Sequence, residues 1–234
     1  MARTVVVGDV HGCRIELEEL LGKIGLDAGD RVVCVGDVVV RGPDSLGVVR
    51  LLAQIGAVVV RGNHEEKLLR NREAEATGLG DEPMSALHQR VARTLDPAAW
   101  ELLAATPLWF DVPVHSLRVV HAGVLPRVRI EHHARKTLLT MRTTTDGGAP
   151  SDRSQGTPWG AAYRGPLQIV FGHHAQRRTQ LHPFATGIDT GCVYGGALTA
   201  LVLRDGERMP RVRDRGDALV SVPARRVWSR GASA

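Results

Sequence analysis

Short apolar runs that end at a glycine beside a metal-binding side chain are the feature that most constrains this chain. The first run, residues 4–7, stops at Gly8-Asp9, and the second, residues 32–35, stops at Gly36-Asp37. Each run is followed by a stretch with apolar residues at helical i, i+3, i+4, i+7 spacing. Strand, polar turn, amphipathic helix and strand in this order predict a layered α/β fold. The glycine-flanked segments are residues 8–12, 36–37, 62–65, 121–123 and 172–173.

The same patterns predict the rest of the fold. Asp96-Pro97 is a good helix start, with a capping side chain and a proline at the first helical position. Residues 143–157 are rich in Thr, Gly, Ser, Pro and Asp and predict an exposed loop. We expect helices over 14–24, 48–55 and most of 65–106, and strands over 57–61, 117–121, 167–171, 186–189 and 197–203.

Metal ligands follow several of the expected strands. Because strand ends of one sheet lie side by side, these side chains can converge on one pocket. Their mixed nitrogen and oxygen set suits manganese, iron, zinc or cobalt better than calcium. A carboxylate such as Asp37 can bridge two ions, which predicts a two-metal site that hydrolyses phosphoesters. The candidate ligands are Asp9, His11, Asp37, Asn63, His121 and His173.

The motifs GDVHG, GDVVVRGPDS, GNHE, HAG and GHH, in this order, resemble the calcineurin-like metallophosphoesterases. More narrowly they resemble the phosphoprotein-phosphatase branch with its bacterial relatives, from about residue 5 to residue 203. The resemblance implies an α-β-β-α sandwich with a helical insertion. We expect a metallophosphoesterase domain over residues 1–205 and a basic C-terminal tail over 206–234.

The resemblance also implies a role for each residue. Asp9, His11 and Asp37 would hold one divalent ion, and Asp37 would share the other with Asn63, His121 and His173. Manganese is the expected metal, with cobalt, iron, zinc and magnesium as alternatives. His64 matches the histidine that protonates the leaving oxygen, and Arg41 matches the arginine that binds a phosphate oxygen. Water would attack phosphorus in line.

Val40 departs from the protein-phosphatase pattern GDxVDRG, because it replaces the aspartate that would orient His64. Bacterial symmetrical diadenosine tetraphosphate hydrolases are similar here, and ADP is a better leaving group than a serine alkoxide. Residues 140–142 resemble their substrate-side stretch, which makes Arg142 a candidate substrate-binding residue. GNHE and Val193-Tyr194 are closer to another bacterial branch that cleaves dinucleoside polyphosphates. The expected reaction is the hydrolysis of diadenosine tetraphosphate to two ADP.

Positive charge is concentrated at the end of the chain. From Arg204 onward, eight arginines stand against four acidic residues, which leaves +4 of the net charge of +5 in this segment. A solvated, partly disordered end explains this, and so does attraction to a polyanion. The second explanation allows a rival substrate, nucleotide-capped or triphosphorylated RNA 5′ ends. The other rivals are a serine/threonine protein phosphatase and an inactive binding protein.

Cysteine usage and hydropathy indicate the compartment. The three cysteines, Cys13, Cys34 and Cys192, are far apart and form no CxxC, so the sequence predicts neither a disulfide framework nor a zinc ribbon. No apolar stretch reaches transmembrane length, and the N-terminus lacks the pattern of a signal peptide. We expect a cytoplasmic enzyme without a membrane contact or an obligate protein partner.

Overall fold

The computed structural model describes residues 2–78 and 84–230. Its first half alternates strands and helices as the apolar runs predict, and residues 79–83 of the expected helical stretch lie outside the described residues. The elements in order are β1 Arg3–Val7, α1 Arg14–Ile24, β2 Arg31–Cys34, α2 Ser45–Gln54, β3 Val58–Val59, α3 Asn63–Thr77, α4 Ala86–Thr94 and α5 Pro97–Ala104.

The second half contains most of the strands. Its elements are β4 Trp109–Val112, β5 Leu117–Val120, α6 Arg135–Thr140, β6 Thr143–Thr144, β7 Pro150–Ser151, β8 Thr157–Pro158, α7 Trp159–Ala162, β9 Gln168–Phe171, β10 Gln180–Leu181, β11 Ala185–Gly187, β12 Ala197–Arg204 and β13 Leu219–Pro223. Short 3₁₀ turns lie between several of them.

Two five-stranded sheets form the body of the described structure. The first has the order β13-β12-β1-β2-β3, and the second has the order β10-β11-β9-β5-β4. Three adjacent strands of each sheet are parallel: β1 pairs with β2 and β2 with β3, while β5 pairs with β9 and β9 with β11. Parallel strands place their carboxyl ends at one edge, where the polar segments follow.

The alternation of side chains along β1 shows how the layers pack. Val5 and Val7 point to the layer of α1 and α2, whereas Val6 lies between the two sheets with Val119 and Val170. The outer face of the second sheet is covered by α6 and α7, through residues such as Leu138 and Trp159. The α-β-β-α sandwich with a helical insertion is therefore confirmed.

Local sequence signals predict the start of α5 but not the structure of residues 143–157. The Asp96 side chain accepts a hydrogen bond from the Ala99 backbone N–H and begins α5, as expected. Residues 143–157 differ from the expected exposed loop, because β6, β7 and β8 form a small antiparallel sheet in which Thr143 and Thr144 are buried. Strands of two residues are too short for periodicity to reveal.

The basic C-terminal segment is packed onto the domain. β13 pairs with β12 from Leu219 to Pro223, and Arg215 is buried with 1% exposure. Residues 204–208 and 211–214 are exposed, but β13 and Arg215 attach the described part of the segment, 206–230, to the domain. The boundary after residue 205 stays a prediction. Residues 231–234 lie outside the described residues. No helix in the described ranges is long and apolar enough to cross a membrane.

Candidate metal centre

The six candidate ligands come together at the carboxyl ends of four strands and the start of one helix. Asp9 and His11 follow β1, and Asp37 follows β2. His121 follows β5 and His173 follows β9, while Asn63 is the first residue of α3. The strand ends meet as the sequence predicts, because β1, β2, β5 and β9 are central strands of the two packed sheets.

Asp37 lies at the centre of this cluster. Its Oδ2 atom is 3.5 Å from His121 Nε2, 3.7 Å from His11 Nε2 and 4.0 Å from His64 Nε2. Two groups of side chains whose ligand atoms lie within 4.8 Å of one another share Asp37: His11–Asp37–His64 and Asp37–His121–His173. The predicted ligand Asp9 is in neither group, and its carboxylate accepts a hydrogen bond from the His173 backbone N–H at 3.1 Å. Asp37 is thus placed where a bridging carboxylate would be needed.

Backbone carbonyls orient the imidazoles. His121 Nδ1 is 3.1 Å from the Val35 carbonyl oxygen, and His11 Nδ1 is 3.3 Å from that of Val39. His173 is turned the other way, with Nε2 3.2 Å from the Thr140 carbonyl oxygen. Each carbonyl accepts the one N–H of a neutral ring, so the other ring nitrogen presents its lone pair to the site.

The position of Asn63 tests whether these residues fit a metal. Its Oδ1 atom is 3.0 Å from His121 Nε2 and 2.8 Å from His173 Nδ1. Both nitrogens present lone pairs, and so does the amide oxygen. A divalent ion among these three atoms would receive a lone pair from each of them. The donor set therefore fits a divalent ion with nitrogen and oxygen ligands.

Burial shifts these groups toward their neutral forms. Burial, followed by the charge of Arg41, lowers the pKa of His11 to about 3, and burial lowers the pKa of His121 to about 4. Burial raises the pKa of Asp37 to about 7 and raises that of Asp9 well above its usual value. Neutral imidazoles are the form that ligates metal, and a bound cation would return the carboxylates to their ionised form.

Glu65 fixes the loop that carries Asp37. Its fully buried carboxylate accepts hydrogen bonds from the backbone N–H groups of Asp37 at 2.8 Å and Gly62 at 2.9 Å, and from two further N–H groups of residues 38 and 39. The sequence motif GNHE predicts no role for this glutamate. Only the fold shows that one carboxylate holds two ligand-bearing loops together.

A chain of hydrogen bonds leads away from His64. Arg41 Nε donates to His64 Nε2 at 3.1 Å, so the other nitrogen, His64 Nδ1, carries the proton and donates to His88 Nε2 at 3.0 Å. His88 Nδ1 in turn donates to Ser85 Oγ at 2.7 Å. These hydrogen bonds determine which ring nitrogen of His64 and of His88 carries the proton. His88 thus occupies the partner position that Val40, a buried apolar residue, cannot fill.

Two more polar residues border the cluster. Asp189 follows β11, and burial raises its pKa to about 7. It was missed as a site residue, although it obeys the same strand-end rule as the predicted ligands. Arg142 is half-buried, and its Nε atom is buried without a hydrogen-bond partner among the described residues. Burial lowers the pKa of His173, and the charges of His121 and then Arg142 add to this effect, so Arg142 lies near the cluster. An unpaired cationic donor in this position is suited to an anionic substrate.

A comparison with protein families finds a match to the profile of calcineurin-like phosphoesterases over residues 2–185. Among curated relatives, a protein of Halalkalibacterium halodurans named bis(5′-nucleosyl)-tetraphosphatase PrpE [asymmetrical] is 34% identical, over 94% of this chain and 93% of its own. The protein of the same name from Oceanobacillus iheyensis is 31% identical, over 83% and 86%.

Solved structures give the same picture. A crystal structure provisionally identified as a diadenosine tetraphosphatase has 35% identity and a TM-score of 0.79, and the match covers 95% of this chain and 93% of the other. A Saccharomyces cerevisiae protein serine/threonine phosphatase, at 18% identity and a TM-score of 0.60 over 95% and 79%, shares the fold alone.

Proposed function

This chain belongs to the calcineurin-like phosphoesterase family, and from that premise we propose that it is a two-metal hydrolase of dinucleoside polyphosphates. The observation that carries the proposal is the position of Asp37, whose Oδ2 atom lies 3.5–4.0 Å from three imidazole nitrogens and belongs to both candidate metal groups. Relatives with the tetraphosphatase name cover nearly the whole chain.

In this proposal the metal-binding residues are the six that the sequence predicts. Asp9, His11 and Asp37 would hold one ion, and Asp37, Asn63, His121 and His173 the other. When bound, two divalent ions, for which manganese is our first choice, supply Lewis-acid activation of water and offset charge on the phosphoryl group. The protein contributes a rigid, buried set of ligands whose ring orientations are fixed by carbonyl groups.

Arg41 and His64 act on the substrate in this proposal. The Arg41 guanidinium binds a phosphoryl oxygen, and Arg142 binds a second phosphate of the polyphosphate chain. His64 supplies the proton that the leaving phosphate oxygen takes up. Because His64 Nε2 accepts from Arg41 in the absence of substrate, substrate binding must turn Arg41 toward phosphate and free Nε2. Nε2 then takes up the proton that the attacking water releases and passes it to the leaving oxygen, while Nδ1 keeps its own proton toward His88.

The names of the relatives bear on where the chain is cut. The sequence led us to expect symmetrical cleavage to two ADP, whereas the curated relatives are named asymmetrical. Tyr194, which the sequence comparison linked to another branch of these hydrolases, lies with its ring under the Arg41 guanidinium, 5.4 Å from the ring centre. We therefore propose asymmetrical cleavage, which converts diadenosine tetraphosphate to ATP and AMP.

The rival substrates have less support. The protein-phosphatase alternative has a neighbour that shares only the fold, and Val40 departs from its motif. The RNA alternative relied on a free basic tail, but Arg215 is buried and Arg225 pairs with Glu19. The remaining arginines of the segment form a smaller positive surface than the sequence suggested.

Product analysis tests the proposal. After incubation of diadenosine tetraphosphate with the protein and Mn²⁺, we expect ATP and AMP in equal amounts by ion-exchange chromatography. ADP as the single product would support symmetrical cleavage instead. Hydrolysis of a phosphoserine peptide or triphosphorylated RNA at a higher kcat/KM than the dinucleotide would refute the proposed substrate.

Asp37→Asn tests the metal dependence in the same assay. We expect a loss of kcat of at least about 100-fold, because an amide cannot bridge two cations as a carboxylate does. The matched control is Asp27→Asn, at an exposed position between α1 and β2. Unchanged turnover by Asp37→Asn would exclude the metal-hydrolase mechanism.

A further inference from the structure

A second cluster of metal-ligand side chains lies under the first turn of α1. Cys13 precedes this helix, Glu16 is in its first turn, and Cys192 comes from the turn after Asp189. One sulfur or oxygen atom from each lies within 4.8 Å of the other two. Cys13 and Glu16 have no exposed surface, and Cys192 is 1% exposed. The sequence predicted no thiol site, because these cysteines are far apart along the chain.

Glu16 is paired on one side only. Its Oε1 atom accepts hydrogen bonds from the Arg225 backbone N–H at 3.1 Å and from Trp228 Nε1 at 2.8 Å. Its Oε2 atom is buried and has no hydrogen-bond partner among the described residues. Leaving a buried carboxylate oxygen unpaired is unfavourable, because the oxygen has lost its hydration and gained no donor in return. The two neighbouring thiols offer only weak S–H donors, which do not offset this cost.

The ligand types select the ion. Two thiolates and one carboxylate form a softer set than the imidazoles, carboxylates and amide of the catalytic cluster, which has no sulfur. Zinc binds thiolate sulfur at about 2.3 Å and carboxylate oxygen at about 2.0–2.2 Å. Three ligand atoms within 4.8 Å of one another can all lie at these distances from one ion. The positive end of the α1 dipole, at Cys13 and Glu16, offsets part of the ligands' excess negative charge.

We propose that Cys13, Glu16 and Cys192 bind one Zn²⁺ ion in addition to the catalytic metals. On binding, each thiol releases its proton to solvent, and the ion becomes the partner that Glu16 Oε2 otherwise lacks. The site joins three parts of the chain: the start of α1 just after His11, the turn just after Asp189, and the C-terminal segment that binds Glu16 through Arg225 and Trp228. Its effect is structural, since it fixes the segments that carry catalytic residues.

Cobalt provides the test, because thiolate-bound Co²⁺ has a near-ultraviolet charge-transfer band that nitrogen and oxygen ligands do not produce. We expect full-length protein loaded with Co²⁺ to show this band and to lose it when Zn²⁺ is added. Cys13→Ser and Cys192→Ser should abolish the band and lower the metal content by one ion per chain. Cys34→Ser, which removes a buried cysteine of β2 outside the cluster, should change neither.

Glu16→Gln provides a variant of the same shape in case the serine variants fold poorly. We expect it to keep its far-ultraviolet circular dichroism and the band, with Co²⁺ binding at this site weakened at least about tenfold. Wild-type protein that carries cobalt but shows no thiolate band would overturn the proposal. So would a wild-type mass two hydrogens lighter from a Cys13–Cys192 disulfide, or a band that survives both serine substitutions. The band is read independently of hydrolysis, so its absence would leave the proposed function standing.

Discussion

Backbone conformation at single residues separates the site from the rest of the fold. Five of the seven non-glycine residues with positive φ in the described ranges belong to it: His11, Asp37, Val40, Arg41 and His173. Residues with a Cβ rarely adopt this conformation, and those that do cluster at functional sites. At Gly36, with φ at +110°, a Cβ would lie 2.8 Å from His121 Nδ1, so the glycine next to Asp37 is required by close approach.

His88 is the residue on which the orientation of His64 depends. We expect His88→Ala to lower kcat on diadenosine tetraphosphate about 10–100-fold with little change in KM, because His64 Nδ1 then loses its acceptor. His88→Asn, whose amide oxygen can accept the same hydrogen bond, should restore part of the rate. On p-nitrophenyl phosphate, whose leaving group needs little protonation, the defect should shrink. Equal defects on both substrates would contradict a role in proton transfer.

At the level of elements, the start of α3 is fastened to the loop after β2 by Glu65. This side chain provides acceptors for backbone N–H groups that would otherwise be buried without partners. The start of α3 therefore lies against the loop that carries Asp37, and Asn63 and His64 are presented from the first turn of this helix. A rigid element positions these two side chains more accurately than a free loop would.

Glu65→Gln should weaken this connection. The amide replaces one acceptor oxygen by an NH₂ group that faces backbone donors, so we expect the free energy of unfolding to fall by about 2–4 kcal/mol. We also expect Mn²⁺ affinity to fall about 10–100-fold. Urea unfolding and calorimetric titration measure the two effects. Glu75→Gln, an exposed position on the same helix, is the control and should change neither.

The start of β1 is tied to the turn before β2 by Arg3 and Asp30. The Asp30 side chain has no exposed area and accepts hydrogen bonds from the Arg3 guanidinium and from the Arg3 backbone N–H at 2.9 Å. The Arg3 hydrogen bond is the main cause that lowers the pKa of Asp30. A lowered pKa means that the ionised carboxylate stabilises the folded state above its ordinary pKa of about 3.9, and that this stability is lost as the pH falls below it.

Asp30→Asn should therefore reduce stability in a pH-dependent way. At pH 7 we expect a loss of about 1.5–3 kcal/mol in the free energy of unfolding. The difference from wild type should be constant down to about pH 5 and narrow below about pH 4. Asp27→Asn removes a nearby charge at an exposed position and should stay within about 0.5 kcal/mol of wild type. A difference that does not change with pH would show that the charge of Asp30 contributes nothing.

At the scale of the whole molecule, the C-terminal segment closes the domain. It adds β13 to the edge of the first sheet, and its Arg215 side chain reaches the second sheet, where it donates to Thr186 Oγ1 at 2.9 Å and to the His182 carbonyl oxygen at 2.7 Å. Burial lowers the pKa of this guanidinium. Removing the segment would therefore disrupt the fold.

Arg215→Ala should show this structural role. We expect the free energy of unfolding to fall by about 2–4 kcal/mol, because several carbonyl oxygens lose their donor and a cavity remains. Arg213→Ala removes an exposed arginine from the same segment and should stay within about 0.5 kcal/mol of wild type. Urea unfolding measures both. Equal stability of the two variants would mean that the segment is only loosely attached.

The sequence by itself determined the layered fold and the convergence of its polar strand ends. These follow from local rules: apolar runs form strands, apolar residues at helical spacing form helices, and parallel strands end at one edge. The Asp37 loop, the start of α5 and the ring of candidate ligands could all be predicted in this way, because the information lies within a few residues of each position.

Tertiary structure alone decided which distant residues meet. Three such contacts are that of His88 with His64, that of Glu65 with the loop of Asp37, and that of Cys13 and Glu16 with Cys192. They depend on how helices and turns that are far apart in sequence pack together. Part of the basic C-terminal segment forms β13 because the backbone of β12 is available for pairing along one side. Composition shows only its charge. Pairing across the fold depends on the order of strands and layers, which no local pattern contains.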